Sequence, residues 1–370
     1  MARAVVGKGR IAGVKVWDVP LPFLLTLLLI VVAGLTTLFS ASGGKGYFYR
    51  QLIWNFVGLA FMFGVSLLDL RRVERYCHFI YLIAISLLFT VLVMGRVAHG
   101  AQRWIHLGPL GVQPSELAKL ALVLALARVL VLQKGDFSLR DLWKPGVLVG
   151  LPFVFTLLQP DLGTALILLG ITGTLVLVKG VGKRTLATLV ALFLIFGAVG
   201  GPFVWGHLKD YQKRRIEAFI NPQAMAKDAG YHVLQSQTAI GSGRIWGKGF
   251  QKGSQARLEF LPEEHTDFIF SVFAEERGFV GVVFLLGLYF FLVFFALSVA
   301  VEARDAYSFF VVVGVATIYA LHFVVNVGMT MGLLPVVGVP LPLMSYGGSS
   351  LVTTYLGAGL ILAAYRRRTG

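Results

Sequence analysis

Ten stretches of apolar residues, most of them close to the length a helix needs to cross a lipid bilayer, dominate this chain. They fall near residues 20–40, 51–68, 77–95, 115–133, 146–159, 162–179, 185–207, 268–300, 306–333 and 346–365. The hydrocarbon core of a bilayer is about 30 Å thick, which about 20 helical residues span. In that solvent every backbone N–H and C=O must be satisfied within the chain, so helices are the form such runs take. The 146–159 run is short and the 268–300 run is long. The expected architecture is all-α: a polytopic membrane protein of about ten transmembrane helices. Hydrophobic residues make up 57% of the chain and charged residues 14%. A soluble domain sits nearer to about 45–50% and about 25%, which excludes that class.

The formal net charge is +15. In a soluble chain that would point to nucleic acid; here topology accounts for it, and no nucleic-acid partner is expected. An even number of crossings puts both termini on one side. Placing them in the cytoplasm gathers there Arg3, Lys8, Arg10 and Lys15; Arg71, Arg72 and Arg75; Lys134, Arg140 and Lys144; Lys179, Lys183 and Arg184; Arg304; and Arg366, Arg367 and Arg368. The short outer loops keep only Lys45, Arg50, Arg96 and Arg103, as the positive-inside rule requires. The basic segment Met1–Val19 precedes a run of full spanning length, so the start reads as a retained anchor and not as a cleaved signal. The one cysteine, Cys77, rules out an internal disulfide and a cysteine metal cluster. It reads as small apolar filler.

A single domain, 1–370, therefore contains one large polar insertion, 208–267, between the seventh and eighth runs. It faces outward, where cytosolic ATP does not reach. Within it Tyr231–Ile240 reads as a short helix on the membrane surface, bounded by turns at Gly230 and Gly241-Ser242-Gly243. The insertion closes with Pro262-Glu263-Glu264-His265-Thr266-Asp267 and re-enters the apolar run Phe268-Ile269-Phe270. Asp267 has two readings. It or Thr266 caps the next helix, or it is a partly desolvated carboxylate serving as a general base. Glu275, Glu276 and Arg277 follow, and a mutually ion-paired helical face is the simplest account of them.

Other polar residues stand out against the apolar background. Pro114-Ser115 reads as a helix start, with Ser115 as N-cap and Glu116 in the first turn. Glu116 and Lys119 are three apart and can pair; a lysine in the membrane is either a packing ion pair or a cation held for an anionic headgroup. Asp161, between Pro160 and Gly163, is a helix cap or a neighbour of Asp267. Arg50, Arg103, Arg214, Arg215, Lys248 and Lys252 all lie on the outer side. Singly each reads as a solvated charge or a contact to membrane lipids. As a set they suit the phosphates of a pyrophosphate-bearing lipid. The prolines and glycines of 334–350 break helices inside apolar surroundings, so this backbone is buried in protein or lines a wet cavity. No cysteine–histidine metal cage and no nucleotide-type glycine loop is present.

Seven motifs in order resemble the SEDS family along essentially the whole chain. They are Ser40-Ala41-Ser42-Gly43; Gly100-Ala101-Gln102-Arg103-Trp104; Gln113-Pro114-Ser115-Glu116-Leu117-Ala118-Lys119; Gln159-Pro160-Asp161-Leu162-Gly163-Thr164; Gln235-Ser236 with Ala239-Ile240-Gly241-Ser242-Gly243; Phe260-Leu261-Pro262-Glu263 with His265-Thr266-Asp267; and Pro340-Leu341-Pro342 with Ser345-Tyr346-Gly347-Gly348-Ser349. Gly247-Lys248-Gly249-Phe250 looks like the branch that serves cell elongation and not division. Glu264 and Arg244-Ile245-Trp246 depart from that branch's usual residues and leave the loop's partner contacts open.

The resemblance implies a ten-span peptidoglycan glycosyltransferase of the bacterial inner membrane that polymerises lipid II. It implies Asp267 as the essential residue, with Asp161, Glu116, Lys119 and Arg103 in or near a central cavity. It also implies a class B penicillin-binding protein as partner, within a larger elongation complex. Arg103, Arg50, Arg215 and Lys248 are the candidates for holding pyrophosphate. A divalent cation, Mg or Mn, fits beside a pyrophosphate, though the sequence demands none. The competing readings are a lipid II flippase and a non-catalytic scaffold of the wall-synthesis complex.

Overall fold

The computed structural model describes residues 20–42, 46–94, 96–98, 101–107, 110–207, 210–225, 229–253 and 265–369. The expected anchor segment Met1–Val19, the turn residues Gly43, Gly44 and Lys45, and Pro262, Glu263 and Glu264 lie outside the described residues.

Each of the ten apolar runs coincides with a helix: α1 (Leu21–Ala41), α2 (Tyr47–Ser66), α3 (Leu70–Met94), α4 (Pro114–Leu132), α5 (Trp143–Leu158), α6 (Leu162–Lys179), α7 (Lys183–His207), α10 (Ile269–Val301), α11 (Ala306–Thr330) and α12 (Gly348–Thr369). By length and composition, six of them are long and apolar enough to cross a membrane among the described residues: α1, α3, α6, α10, α11 and α12. The others differ for local reasons. Helix α5 has only 16 residues. Helix α4 carries Glu116, Lys119 and Arg128, and α2 carries Arg50, Gln51 and Asn55.

The burial pattern is that of a bundle in lipid. Large apolar side chains such as Leu28, Phe56, Phe79, Val154, Leu194 and Phe290 point outward, which is stable only where the solvent is hydrocarbon. Helices α4 and α11 form the centre. Residues 118–127 of α4 and 310–319 of α11 are buried without a break, so other elements enclose these two stretches on every side. Elsewhere small residues bring backbones together. A Cβ on Gly58 would lie 2.1 Å from the Tyr355 ring, and one on Gly359 2.7 Å from the Met62 carbonyl, so α2 and α12 fit only as they are. The Tyr355 hydroxyl then donates to Asn55 Oδ1 at 2.9 Å.

Three features depart from the sequence reading. Three strands, β1 (Arg96–Ala98), β2 (Ala101–Leu107) and β3 (Leu110–Val112), form a small antiparallel sheet in the order β1-β2-β3. Val97, Ile105 and Val112 are β-branched, and Val112 pairs with Ile105. The N-cap of α4 falls two residues earlier than expected: it is Gln113, and Pro114 is the first helical residue. Proline's missing N–H costs nothing there, and the Ser115 hydroxyl accepts from Gln113 Nε2 at 3.1 Å instead of capping. Between α7 and α10 lie α8 (Asp210–Ile220) and α9 (Ala229–Ser242). The second contains the expected 231–240 helix; α8 was not foreseen.

Candidate active site

The irregular segment 331–347 joins α11 to α12 and organises everything near Asp267. Prolines 335, 340 and 342 deny it helical pairing, and Gly332 and Gly338 take left-handed backbone at φ 73° and 72°. Its buried polar groups still need partners, and side chains from three helices supply them. Asn326 Nδ2 donates to Val339 O at 2.8 Å, and the Tyr289 hydroxyl to Pro342 O at 2.6 Å. Gln51 Nε2 donates to Ser345 O at 3.0 Å while Gly347 N–H donates to Gln51 Oε1 at 3.3 Å. The Ser349 hydroxyl accepts from Gln113 N–H at 2.9 Å.

The same segment, together with Asn326 of α11, grips the three residues that enter α10. Tyr346 N–H donates to His265 O at 2.9 Å, the Ser345 hydroxyl to Thr266 O at 2.6 Å, and Asn326 Nδ2 to Asp267 O at 3.0 Å. Three successive carbonyls are thereby fixed, and Asp267 is half-buried at the end of the polar insertion. The N-cap position of α10 belongs to Phe268, not to Asp267 or Thr266. The carboxylate of Asp267 lies against Gly338, where a Cβ would stand 3.4 Å from Oδ2. That is ordinary van der Waals contact, so it is the left-handed backbone that favours glycine there.

Asp161 is a cap: its Oδ1 accepts from Thr164 N–H at 3.2 Å at the start of α6. Two residues on, a Cβ at Gly163 would meet Val337 O at 2.5 Å. Backbone 337–339 thus runs between the α6 N-terminus and Asp267, and the two aspartates flank one stretch of chain. Arg103 closes this side. Its Nε donates to Gln159 O at 3.0 Å, its Nη2 to Pro160 O, and its Nη1 stands 4.0 Å from Asp161 Oδ1. The side chain remains 26% exposed.

Glu116 and Lys119 pair as their spacing predicts, at 2.8 Å, with both side chains almost wholly buried. A third member comes from α11: Lys119 Nζ also lies 2.7 Å from His322 Nε2. His322 Nδ1 stands 3.1 Å from Pro340 O, so the cluster reaches the 331–347 segment directly. Sequence reasoning missed both His322 and Asn326. Their signal was present: two polar residues four apart, hence on one helix face, inside an apolar run.

The remaining candidates come from three other elements. Arg50 is exposed on α2, and Arg215 is half-buried on α8. Lys248 is 2.6 Å from Glu275 Oε1 and lines an open groove of about 650 Å³ along Ser242–Lys248. Glu275, Glu276 and Arg277 do not neutralise one another as expected. Glu276 Oε1 accepts from the Ser40 hydroxyl and from Gln251 N–H, at 3.0 Å for the latter. Arg277 lies over the Phe250 ring, 5.8 Å from its centroid. The acids hold the 242–253 turn against α10, which bends at Gly278, φ 64°.

A family model described as a cell cycle protein and covering FtsW, RodA and SpoVE matches residues 19–370. The Escherichia coli K12 peptidoglycan glycosyltransferase MrdB is 40% identical over 348 residues, covering 93% of each chain. A chain from a peptidoglycan synthase complex that coordinates polymerization and crosslinking superposes with a TM-score of 0.84 at 36% identity, covering 95% of this chain and 99% of that one. The rod shape determining protein RodA of Thermus thermophilus superposes with a TM-score of 0.72 at 33% identity, covering 95% and 98%.

Proposed function

Because the chain belongs to the FtsW, RodA and SpoVE family, we propose that it is a peptidoglycan glycosyltransferase that polymerises lipid II during cell elongation. The observation that carries the catalytic part is the fixing of the His265 and Thr266 carbonyls to the 331–347 segment and of the Asp267 carbonyl to Asn326 of α11. Three separate bonds hold the backbone on which this half-buried carboxylate sits. A general base needs that kind of placement, because its gain depends on geometry before basicity.

In this reading the 4-hydroxyl of an acceptor N-acetylglucosamine attacks the anomeric carbon of the donor. The new C–O bond forms as the bond from that carbon to pyrophosphate oxygen breaks. Asp267 takes the hydroxyl proton and undecaprenyl pyrophosphate leaves with the electron pair. Base catalysis supplies on the order of 100- to 10,000-fold; the rest comes from alignment and from neutralising the leaving group. Arg103 is the best placed of the proposed phosphate-binding cations, being partly exposed beside Asp161. Arg50, Arg215 and Lys248 would act, if at all, on lipid headgroups approaching from outside. Among the described residues no three His, Cys, Asp or Glu side chains converge as a metal cage. A Mg or Mn ion would therefore reach the site on pyrophosphate oxygens, with Asp267 and Asp161 as the protein oxygens nearest to the proposed chemistry.

The protein crosses the inner membrane ten times in this reading, with both termini cytoplasmic and Asp267 outside. A class B penicillin-binding protein partners it; the structural similarity to a synthase complex that couples polymerization to crosslinking supports that. Purified Asp267→Ala, folded and bound to its partner, makes no glycan polymer from lipid II supplied on the outer side. Polymerisation at the wild-type rate removes the base from the scheme. Transfer of lipid II between leaflets without polymer formation would instead make the protein a flippase.

A further inference from the structure

The geometry points to His322 as a positioning residue for the reaction: a neutral imidazole that ties the buried Glu116–Lys119 pair to the backbone beside Asp267. This deepens the reading above and rests on it. Lys119 is an ammonium paired with Glu116 at 2.8 Å, and an ammonium only donates. The atom 2.7 Å away, His322 Nε2, must therefore be an acceptor. A proton on that nitrogen would set two donors, and in the imidazolium two positive charges, against each other in a site where all three residues are at most 3% exposed. The proton then belongs on Nδ1, which faces Pro340 O at 3.1 Å and donates to it.

The consequence is mechanical. Pro340 lies between Val339, whose carbonyl is held by Asn326, and Leu341, whose N–H donates to the Ser345 hydroxyl at 2.8 Å. Asn326 and Ser345 are also the residues that hold the Asp267 and Thr266 carbonyls. His322 and Asn326 are one helical turn apart on α11, so α11 grips this segment at two successive points. One grip is charged at its far end through Lys119. The cluster thus fixes where 337–340 runs, and 337–340 is the wall that Gly338 presents to the Asp267 carboxylate. Displacement of a catalytic group by about 1 Å costs on the order of 100-fold in rate.

Two measurements test this on the full-length protein with its partner. The first is lipid II polymerisation by His322→Leu and His322→Gln. Glutamine offers one acceptor to Lys119 and one donor to Pro340; leucine offers neither. The expected result is a loss of on the order of 100-fold in kcat for the leucine variant, with KM changed little, and recovery to within about tenfold for the glutamine variant. A leucine variant at the wild-type rate, or a glutamine variant as slow as leucine, overturns the proposal. The second is nitrogen NMR of histidine-labelled protein in lipid nanodiscs. One neutral ring protonated at Nδ1, absent from His322→Gln, is expected; a His322 ring protonated at Nε2 overturns the proposal whatever the activity shows. If Asp267→Ala still polymerises, the catalytic reading falls, while the tautomer result stands or falls separately.

Discussion

The two ends of the helical bundle carry similar numbers of charges and treat them in opposite ways. At the end proposed to face the cytoplasm, Arg367 Nη1 sits between Asp69 at 3.5 Å and Asp305 at 3.3 Å, with side chains 21%, 48% and 34% exposed. Arg128 and Glu74 pair at 3.4 Å and are about a third exposed. Asp141 accepts from the Ser138 hydroxyl at 2.6 Å, which with the Ser138 N–H holds its carboxyl below the ordinary range. At the opposite end the Glu116, Lys119, Asp161 and Glu275 side chains are 4%, 1%, 3% and 0% exposed. Charges left in water stay because water solvates them. Buried charges are expensive even when paired, and an apolar replacement often serves stability as well or better. The difference teaches that the outer cluster is kept for something besides holding helices together.

The largest effect should come from breaking that cluster on one side only. Lys119→Ala strands the Glu116 carboxylate, 4% exposed, in the bundle. The expected cost is about 3–5 kcal/mol of stability together with loss of lipid II polymerisation. Thermal unfolding in detergent alongside the polymerisation assay reads both. Changing Glu116 to Leu and Lys119 to Met together removes the charges without stranding either. That variant leaves His322 Nε2 without its donor, so it should lose no more than about 1–3 kcal/mol, less than the single change, and still be inactive. Activity in the double variant would make the pair a packing device and erase the contrast between the ends.

What the chain disclosed in advance follows the same division. The ten helices were readable because hydrocarbon imposes one backbone solution on an apolar run. The Glu116–Lys119 pair was readable because three residues along a helix always share a face. Asp267 was placed by its position at a polar–apolar border. What lay hidden is tertiary. His322 is 203 residues from Lys119 in sequence, and nothing local says that they meet. Glu275 and Glu276 were paired with the wrong partners because adjacency suggested Arg277, whereas Lys248 and Ser40 arrive from other elements. The Ser115 cap was misjudged because proline and serine stand side by side at the start of α4, and proline's fixed φ claimed the first helical position.

Lys248→Ala probes a charge midway between the two regimes, 30% exposed against a fully buried Glu275. It removes the ammonium but leaves the Ser242 hydroxyl at 3.3 Å, and the Lys248 and Gly249 N–H groups still donate to Glu275 O and Glu276 O. The expected cost is about 1–3 kcal/mol, the penalty for a buried acceptor losing one of its donors. Amide hydrogen exchange should quicken across 244–253 and remain unchanged in α4 and α11. Exchange that quickens in α4 or α11 as well would mean that the acids of α10 and the Lys119 cluster form one unit.

Arg367→Ala should do least. The guanidinium faces two carboxylates, but all three side chains reach solvent, so the attraction is screened and the released acids are rehydrated at once. The expected loss is under about 1 kcal/mol, smaller still in 0.5 M salt because the screening length shortens. Polymerisation should remain at the parent rate. Arg366 Nη1 keeps its bond to Ser66 O at 3.1 Å, so the C-terminal helix stays moored to the 66–70 turn without the ion pair. A loss as large as that of Lys119→Ala would show that the exposed end is also coupled to the reaction, since exposed pairing alone does not reach that magnitude.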